Sequence, residues 1–276
     1  MHAAPLRLSY VASLTDREIL VGQAYATPAP LEARRAIYRW QQPARDLPTV
    51  ALSLLQGVTG PVVDVGCGPG HYWRLIARER PGLRVVGLDL SPGMRPHAVA
   101  DAQHLPLPDR AAGAALAMHM LYHVPDIERA IGELARVLRD DGIVIVATNG
   151  AGHMRQFGQL FADAVRAVKP GADSPVPPPQ SDRFRLDNGT VMLRRRFAAA
   201  EPVVWETDIR IPEPGPVVGY LDSTRASRAD LLPAGVSWEA VMDAASALAG
   251  QIIDRDGFFT AGSRSGFIVC RGPMRS

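Results

Sequence analysis

Three side chains that carry a transferable proton stand within five residues, in His119-Met120-Leu121-Tyr122-His123. Histidine is the side chain whose ordinary pKa suits proton removal near neutrality. A base of this kind serves a reaction whose nucleophile starts protonated, as a phenol, alcohol or amide does. Each of the three also has a structural alternative: capping the next helix or packing against the loop. A second set lies upstream, in Asp64-Val65-Gly66-Cys67-Gly68-Pro69-Gly70. Three glycines in five residues let the backbone turn sharply and approach a ligand with no Cβ between. Backbone N–H groups at a following helix start can face the polar atoms of that ligand. Asp89, 23 residues after Gly66, can accept both hydroxyls of a ribose if it ends the next strand.

These residues need a sheet edge to hold them. Pro61 to Val65 is a short, apolar, β-branched run that suits a buried parallel strand. His71 to Arg80 reads as a helix. Strand, glycine loop and helix open a nucleotide-binding α/β unit. The spacing is G-x-G-x-G, with His71 where the last glycine of G-x-G-x-x-G would fall, and no lysine follows as a phosphate-binding P-loop requires. Leu83 to Asp89 is the second strand. Ser91-Pro92 looks like an N-cap with proline at N1, and Pro96 keeps that helix short. Ala114 to Met118 is a strand that delivers His119, Tyr122 and His123 to the carboxyl edge of the sheet, where open α/β folds bind ligands. Pro125-Asp126 opens a helix from Ile127 to Arg139, with Ile127, Ile131, Leu134 and Leu138 on one face. Asp140-Asp141-Gly142 ends it, and Ile143 to Thr148 is the next strand. In the flanks, helices are expected at Leu31 to Trp40, Leu47 to Val58, Gly152 to Val168 and Trp238 to Ile253. Pro170 to Gln180 reads as a loop, Thr190 to Ile211 as β-like, and Phe258 to Arg271 as a final strand. His71, Tyr72 and His153 are further candidates to face the pocket.

From residues 58 to 150 the chain resembles the class I S-adenosylmethionine-dependent methyltransferases, in particular the ubiquinone/menaquinone-biosynthesis-like, small-molecule subgroup. The glycine loop is similar to motif I of that family. Leu105-Pro106-Leu107-Pro108-Asp109 resembles its link before strand four, and Arg136-Val137-Leu138-Arg139 with Gly142 resembles the end of its core. The resemblance implies a Rossmann-like, seven-stranded, mostly parallel sheet with helices on both faces and the last strand antiparallel. It implies S-adenosylmethionine as cofactor, with Asp64, Gly66, Cys67, Gly68, Gly70, Asp89, Leu90, Asp101, Ala102 and Met118 around it. Asp101 matches the acid that meets the adenine amino group in the family. Residues 1–57 would be N-terminal lid helices, 58–150 the cofactor-binding core, and 151–276 a substrate cover with the C-terminal strands of the same domain. Tyr25 is the candidate lid contact and His153 a candidate on the substrate side.

The 276 residues are 47% hydrophobic, enough for a sizeable core, and the net charge of +2 makes no electrostatic case for nucleic acid. Lys169 is the single lysine among 30 basic residues; with the many Ala, Gly and Pro residues this reads as the codon bias of a GC-rich genome. Cys67 and Cys270 are too few and too far apart in sequence for a disulfide framework, so a reducing cytoplasm is expected. No signal-peptide h-region follows Met1, no apolar run is long enough to span a bilayer, and no metal-ligand spacing stands out. The expected partner is a small-molecule substrate, with neither nucleic acid nor membrane, and a homodimer stays open. Methyl transfer to O, N or C of a small metabolite, as in natural-product tailoring, is the leading expectation. The alternatives are an RNA or protein methyltransferase, or a non-methylating cyclase or rearrangement catalyst on the same fold.

Overall fold

The computed structural model describes residues 13–174 and 176–275. Its strands, in chain order, are β1 (Gln41–Gln42), β2 (Val62–Val65), β3 (Val85–Asp89), β4 (Ala98–Val99), β5 (Ala112–Met118), β6 (Leu138–Asn149), β7 (Phe197–Ile211) and β8 (Phe259–Pro273). The chain folds as two compact units interleaved in sequence. One takes Met1–Arg45, Gly152–Gln180 and Glu206–Arg264; the other takes Asp46–Ala151, Ser181–Trp205 and Ser265–Ser276. The segments expected as lid and cover therefore contribute mostly to the first unit.

The sheet has eight strands in the order β1-β7-β8-β6-β5-β2-β3-β4, where seven were expected, and its parallel part lies in the second unit. Strands β4, β3, β2, β5 and β6 run parallel, and β8 is antiparallel to β6. The apolar runs are continuous because both faces are covered: Val62, Val63 and Val65 are buried, and so is all of β5. Helix α1 (Ile127–Val137) buries Ile127, Ile131 and Leu134 against this sheet, and the Asp126 carboxylate caps it by accepting the Arg129 N–H at 3.0 Å. Register levels the parallel strands. Val65 stands opposite Leu88 on one side and Ala117 on the other. The next residue of each strand, Gly66, Asp89 and Met118, therefore reaches the same carboxyl edge.

Two expectations are corrected here. Thr190 to Leu193 is not strand but the end of helix α2 (Leu186–Leu193). Leu186, Thr190 and Leu193 are buried at helical spacing, the Arg185 N–H donates to Asn188 Oδ1, and the Thr190 hydroxyl donates to the Leu186 carbonyl. Those local bonds outweigh the β preference of Thr190 and Val191. Asp140-Asp141-Gly142 does not separate helix from strand either. The helix ends at Val137, and β6 begins at Leu138 and carries these three residues as an irregularity, where the register with β5 shifts between Ala112 and Ala114.

The first unit is mainly helical. Its long helices α3 (Arg155–Val168) and α4 (Trp238–Asp256) bury Phe157, Phe161, Trp238, Val241 and Ala245. The Trp238 indole N–H donates to Asp222 at 2.7 Å. Strand β1 pairs Gln41 with Ile209 and Gln42 with Asp208. No helix among the described residues is long and apolar enough to cross a membrane.

Candidate cofactor site

The glycine loop leaves β2 in a conformation that side chains resist. Gly66, Gly68 and Gly70 have φ of 65°, 52° and 94°. Space is tight as well: a Cβ on Gly66 would come within 2.7 Å of the Met120 side chain, and one on Gly70 would strike the Trp73 indole. The loop is tied to its neighbour strand. The Cys67 N–H donates to the Leu88 carbonyl at 2.9 Å, and the Gly68 N–H donates to Asp89 Oδ2 at 2.8 Å. The Ser91 N–H donates to the other oxygen, Asp89 Oδ1, at 2.9 Å. Each carboxylate oxygen keeps a second lone pair, so Asp89 is oriented by the backbone yet still able to accept hydroxyls. Burial raises its pKa, and the Ser91, Gly68 and Leu90 amides act against that rise.

Asp64 is the more unusual acid. It is fully buried in β2, and neither oxygen has a hydrogen-bond partner among the described residues. Desolvation pushes its pKa up to about 8; the Trp73 backbone amide, short of hydrogen-bond geometry, offsets part of this, and the Asp89 charge adds to the rise. Burial first, then the charges of Asp64 and Asp89, push the Cys67 thiol upward too. It stays protonated and is no nucleophile. An acid buried without a donor is costly, and the polar group best able to offset it is a cation.

Asp101 closes the far end. Its Oδ1 accepts the Gln103 N–H at 2.8 Å, and the Gln103 side-chain amide contacts both oxygens. Gln103 Oε1 in turn accepts the Asp126 N–H, which ties this turn to the start of α1. Ala102 is buried beside it, and Leu90 is half-buried after Asp89. Arg136 fixes the link that follows by donating to the Leu105 and Leu107 carbonyls and to Asp109 and Glu133.

The strand-end cluster divides. Met118 is buried at the tip of β5, and His119 follows with φ of 55°, a strained value for a side chain with a Cβ. Met120 packs over Gly66. Tyr122 is buried among the core residues, with its ring 4.6 Å from that of His123. This turn is held by Arg183, whose guanidinium donates to the carbonyls of Tyr122, Val124 and Pro125. Sequence reasoning missed Arg183, because a side chain that binds distant carbonyls leaves no motif. It missed Trp73 and His97 for the same reason: their rings pack 4.3 Å apart, and His97 Nδ1 accepts the Gly87 N–H at 2.9 Å. Tyr25 and His153 belong to the first unit. Arg34 lies over the Tyr25 ring at 5.2 Å, and His153 is buried with its Nε2 3.5 Å from the Tyr38 hydroxyl. No group of three metal-ligating side chains occurs among the described residues.

Residues 63–146, which hold β2, the glycine loop, Asp89, Asp101 and the strand-end cluster, match a family model described as a methyltransferase domain. Over these residues the chain is similar to a methyltransferase domain. Two curated relatives locate the likeness. The malonyl-[acyl-carrier protein] O-methyltransferase of Yersinia pestis is 33% identical over 113 residues, covering 36% of this chain and 40% of that protein. The demethylmenaquinone methyltransferase of Thermus thermophilus is 31% identical over 146 residues, covering 48% of this chain and 64% of that protein. The chain thus matches less than half the length of the Yersinia relative. A candidate methyltransferase from an antibiotic-biosynthesis pathway of Anabaena variabilis shares the fold, with a TM-score of 0.55 at 20% identity over 81% of this chain and 96% of that one.

S-adenosylmethionine is the cofactor that this similarity implies, and the residues present fit it. The set is acidic, with Asp64, Asp89 and Asp101 and no lysine, which suits a cationic ligand bearing a ribose better than one bearing phosphates. The glycines leave the space that a Cβ would fill, and the unpartnered Asp64 is the buried counter-charge such a ligand calls for.

Proposed function

We propose that this chain transfers a methyl group from S-adenosylmethionine to O, N or C of a small metabolite. The observation that carries the reading is the buried, unpartnered Asp64 beneath a glycine loop whose Gly68 amide also orients Asp89. Asp89 would hold the ribose hydroxyls, the Gly66–Gly70 backbone the methionine end, and Asp101 with Ala102 and Leu90 the adenine. Met118 and Cys67 would line the same edge. The cofactor supplies an activated methyl on a cationic sulfur, so the protein's task is alignment and exclusion of water.

Among the strand-end residues, His119 and His123 are the candidate proton acceptors for a protonated nucleophile. Tyr122 fits a packing role better, given its place in the core. Tyr25 and His153 remain candidates on the substrate side. A small-molecule acceptor, as in natural-product tailoring, is supported by the near-neutral net charge of +2 and by relatives named for malonyl-[acyl-carrier protein] and demethylmenaquinone. Titration of the purified protein with S-adenosylmethionine in a calorimeter tests the cofactor half. Saturable binding, weakened by Asp89→Ala, is expected; no binding ends the proposal. Accumulation of S-adenosylhomocysteine with a candidate acceptor tests the transfer.

A further inference from the structure

The first unit holds a charge of the opposite sign. Arg228 ends the short helix Arg225–Arg228 and is only 6% exposed. Its Nε and Nη1 find no hydrogen-bond acceptor among the described residues. The guanidinium lies 5.4 Å from the centroid of Phe161, which is itself buried and packs 5.7 Å from the Trp238 ring. Tyr220 stands in the fields of both Arg228 and Arg34, with its ring 4.1 Å from Phe157. Burial raises the Tyr220 pKa against the pull of the two arginines, so at neutral pH the phenol keeps its proton and can donate.

Three other arginines are held by several acceptors each. Arg183 donates to three carbonyls. Arg136 serves two carbonyls and two carboxylates. Arg275 serves the carbonyls of Ala135, Arg136 and Leu138 and the Asp140 carboxylate. Those contacts are structural. The Arg228 guanidinium meets an aromatic face, which offsets part of the desolvation cost of Nε and Nη1. A guanidinium cannot relieve its burial by losing a proton, and a buried cation with no counter-charge is expensive. The chain keeps that cost where an anion would cancel it.

We propose that Arg228, with Tyr220 and the charge of Arg34, is a recognition site for the carboxylate of a small organic acid. One guanidinium with two open donor atoms and one phenol suits a single charge with two acceptor oxygens. A phosphate dianion brings more charge and more acceptors than one guanidinium and one phenol can satisfy. Phe161 and Trp238, buried beside the guanidinium, make its surroundings apolar. The inference deepens the proposed transfer by naming a substrate class, and rests on it only in calling the acid a substrate.

The test uses the intact protein at neutral pH without cofactor, titrated by calorimetry with hexanoate, hexanol and inorganic phosphate. Hexanoate should bind at least tenfold tighter than either of the others. Arg228→Met, an uncharged side chain of similar length, should melt no lower than the parent and lose the preference for hexanoate over hexanol. Arg228→Gln carries the same readout should the methionine variant misfold. Equal binding of hexanoate and hexanol, tighter binding of phosphate, or a folded variant that keeps the preference would each overturn the proposal. A parallel titration with S-adenosylmethionine separates the two claims. Hexanoate binding without cofactor binding sinks the transfer and spares the acid site; the reverse sinks the acid site alone.

Discussion

Replacing Asp64 by asparagine removes a charge that the fold suppresses, and the effect should depend on pH with a definite sign. In the unfolded chain the carboxyl loses its proton near 3.8, whereas in the folded chain it holds it to about 8. Between those values folding takes up one proton, so stability is highest below the lower value and falls as pH rises toward the upper one. The slope is ~1.4 kcal/mol per pH unit. Across the roughly four units of the window, the loss is at most ~6 kcal/mol. The amide of the Asp64→Asn variant has the same shape as the carboxyl and does not titrate. Urea unfolding of both proteins without cofactor, at about pH 5 and about pH 7, should show the parent losing up to ~3 kcal/mol relative to Asp64→Asn. Parallel behaviour at the two pH values would refute the buried, neutral acid. The binding arm follows from the same carboxyl. A cation brought beside Asp64 favours its ionised form, so cofactor binding at neutral pH should release close to one proton from the parent and none from the variant. Calorimetry in two buffers of different ionisation enthalpy reads that proton directly.

Three further outcomes follow from particular contacts. Asp89→Ala removes the acceptor of the Gly68 and Ser91 amides along with the proposed ribose contacts, and should weaken S-adenosylmethionine binding by ~1–3 kcal/mol; unchanged affinity in calorimetry rejects the ribose placement. Gly66→Ala forces a side chain into φ of 65° and against Met120, and should lower stability by ~1–2 kcal/mol with loss of cofactor binding; a thermal melt that matches the parent contradicts the loop geometry. Arg183→Met strips the donors from three carbonyls of the Tyr122 turn, and should cost ~1–3 kcal/mol. Amide exchange should then quicken in residues 119–126, and unaltered protection there argues against Arg183 as the clamp.

The parallel strands and the helix after β5 were legible in sequence because their signals are local. The β-branched run before Gly66, the spacing to Asp89 and the helical stripe of Ile127, Ile131 and Leu134 each declare one element within a few residues. The short turn after Asp89 was legible too, since Pro92 and Pro96 leave room for a single 3-10 turn, Pro92–Met94. What failed was governed by contacts distant in sequence or by competing local bonds. Val191 and Leu193 look like strand until the Arg185–Asn188 and Thr190–Leu186 bonds are drawn. Asp140 and Asp141 look like a helix stop, yet β6 carries them as an irregularity between its paired residues Leu138 and Ile143. The interleaving of the two units could not be read at all, because no local pattern tells segment 152–180 to join 206–264.

The same distinction separates the two charged sites. Asp64 and Asp89 announce themselves because a glycine loop and a strand end give an acid meaning at those positions. Arg228 is one arginine among many, in a chain whose composition makes arginine common, and nothing in Ser227-Arg228-Ala229 marks it out. Only burial distinguishes it from an exposed arginine such as Arg225, whose guanidinium pairs with Glu239 in solvent. On the two proposals, the units select by opposite charge. The acids of the cofactor unit reject phosphate-bearing ligands and favour a cation, whereas the guanidiniums of the helical unit reject cations and favour an acid. A neutral metabolite gains from neither arrangement. If methyl acceptors are screened in charge-matched sets, the acidic members should lead, and Arg228→Met should erase that ranking while cofactor affinity stays as it was.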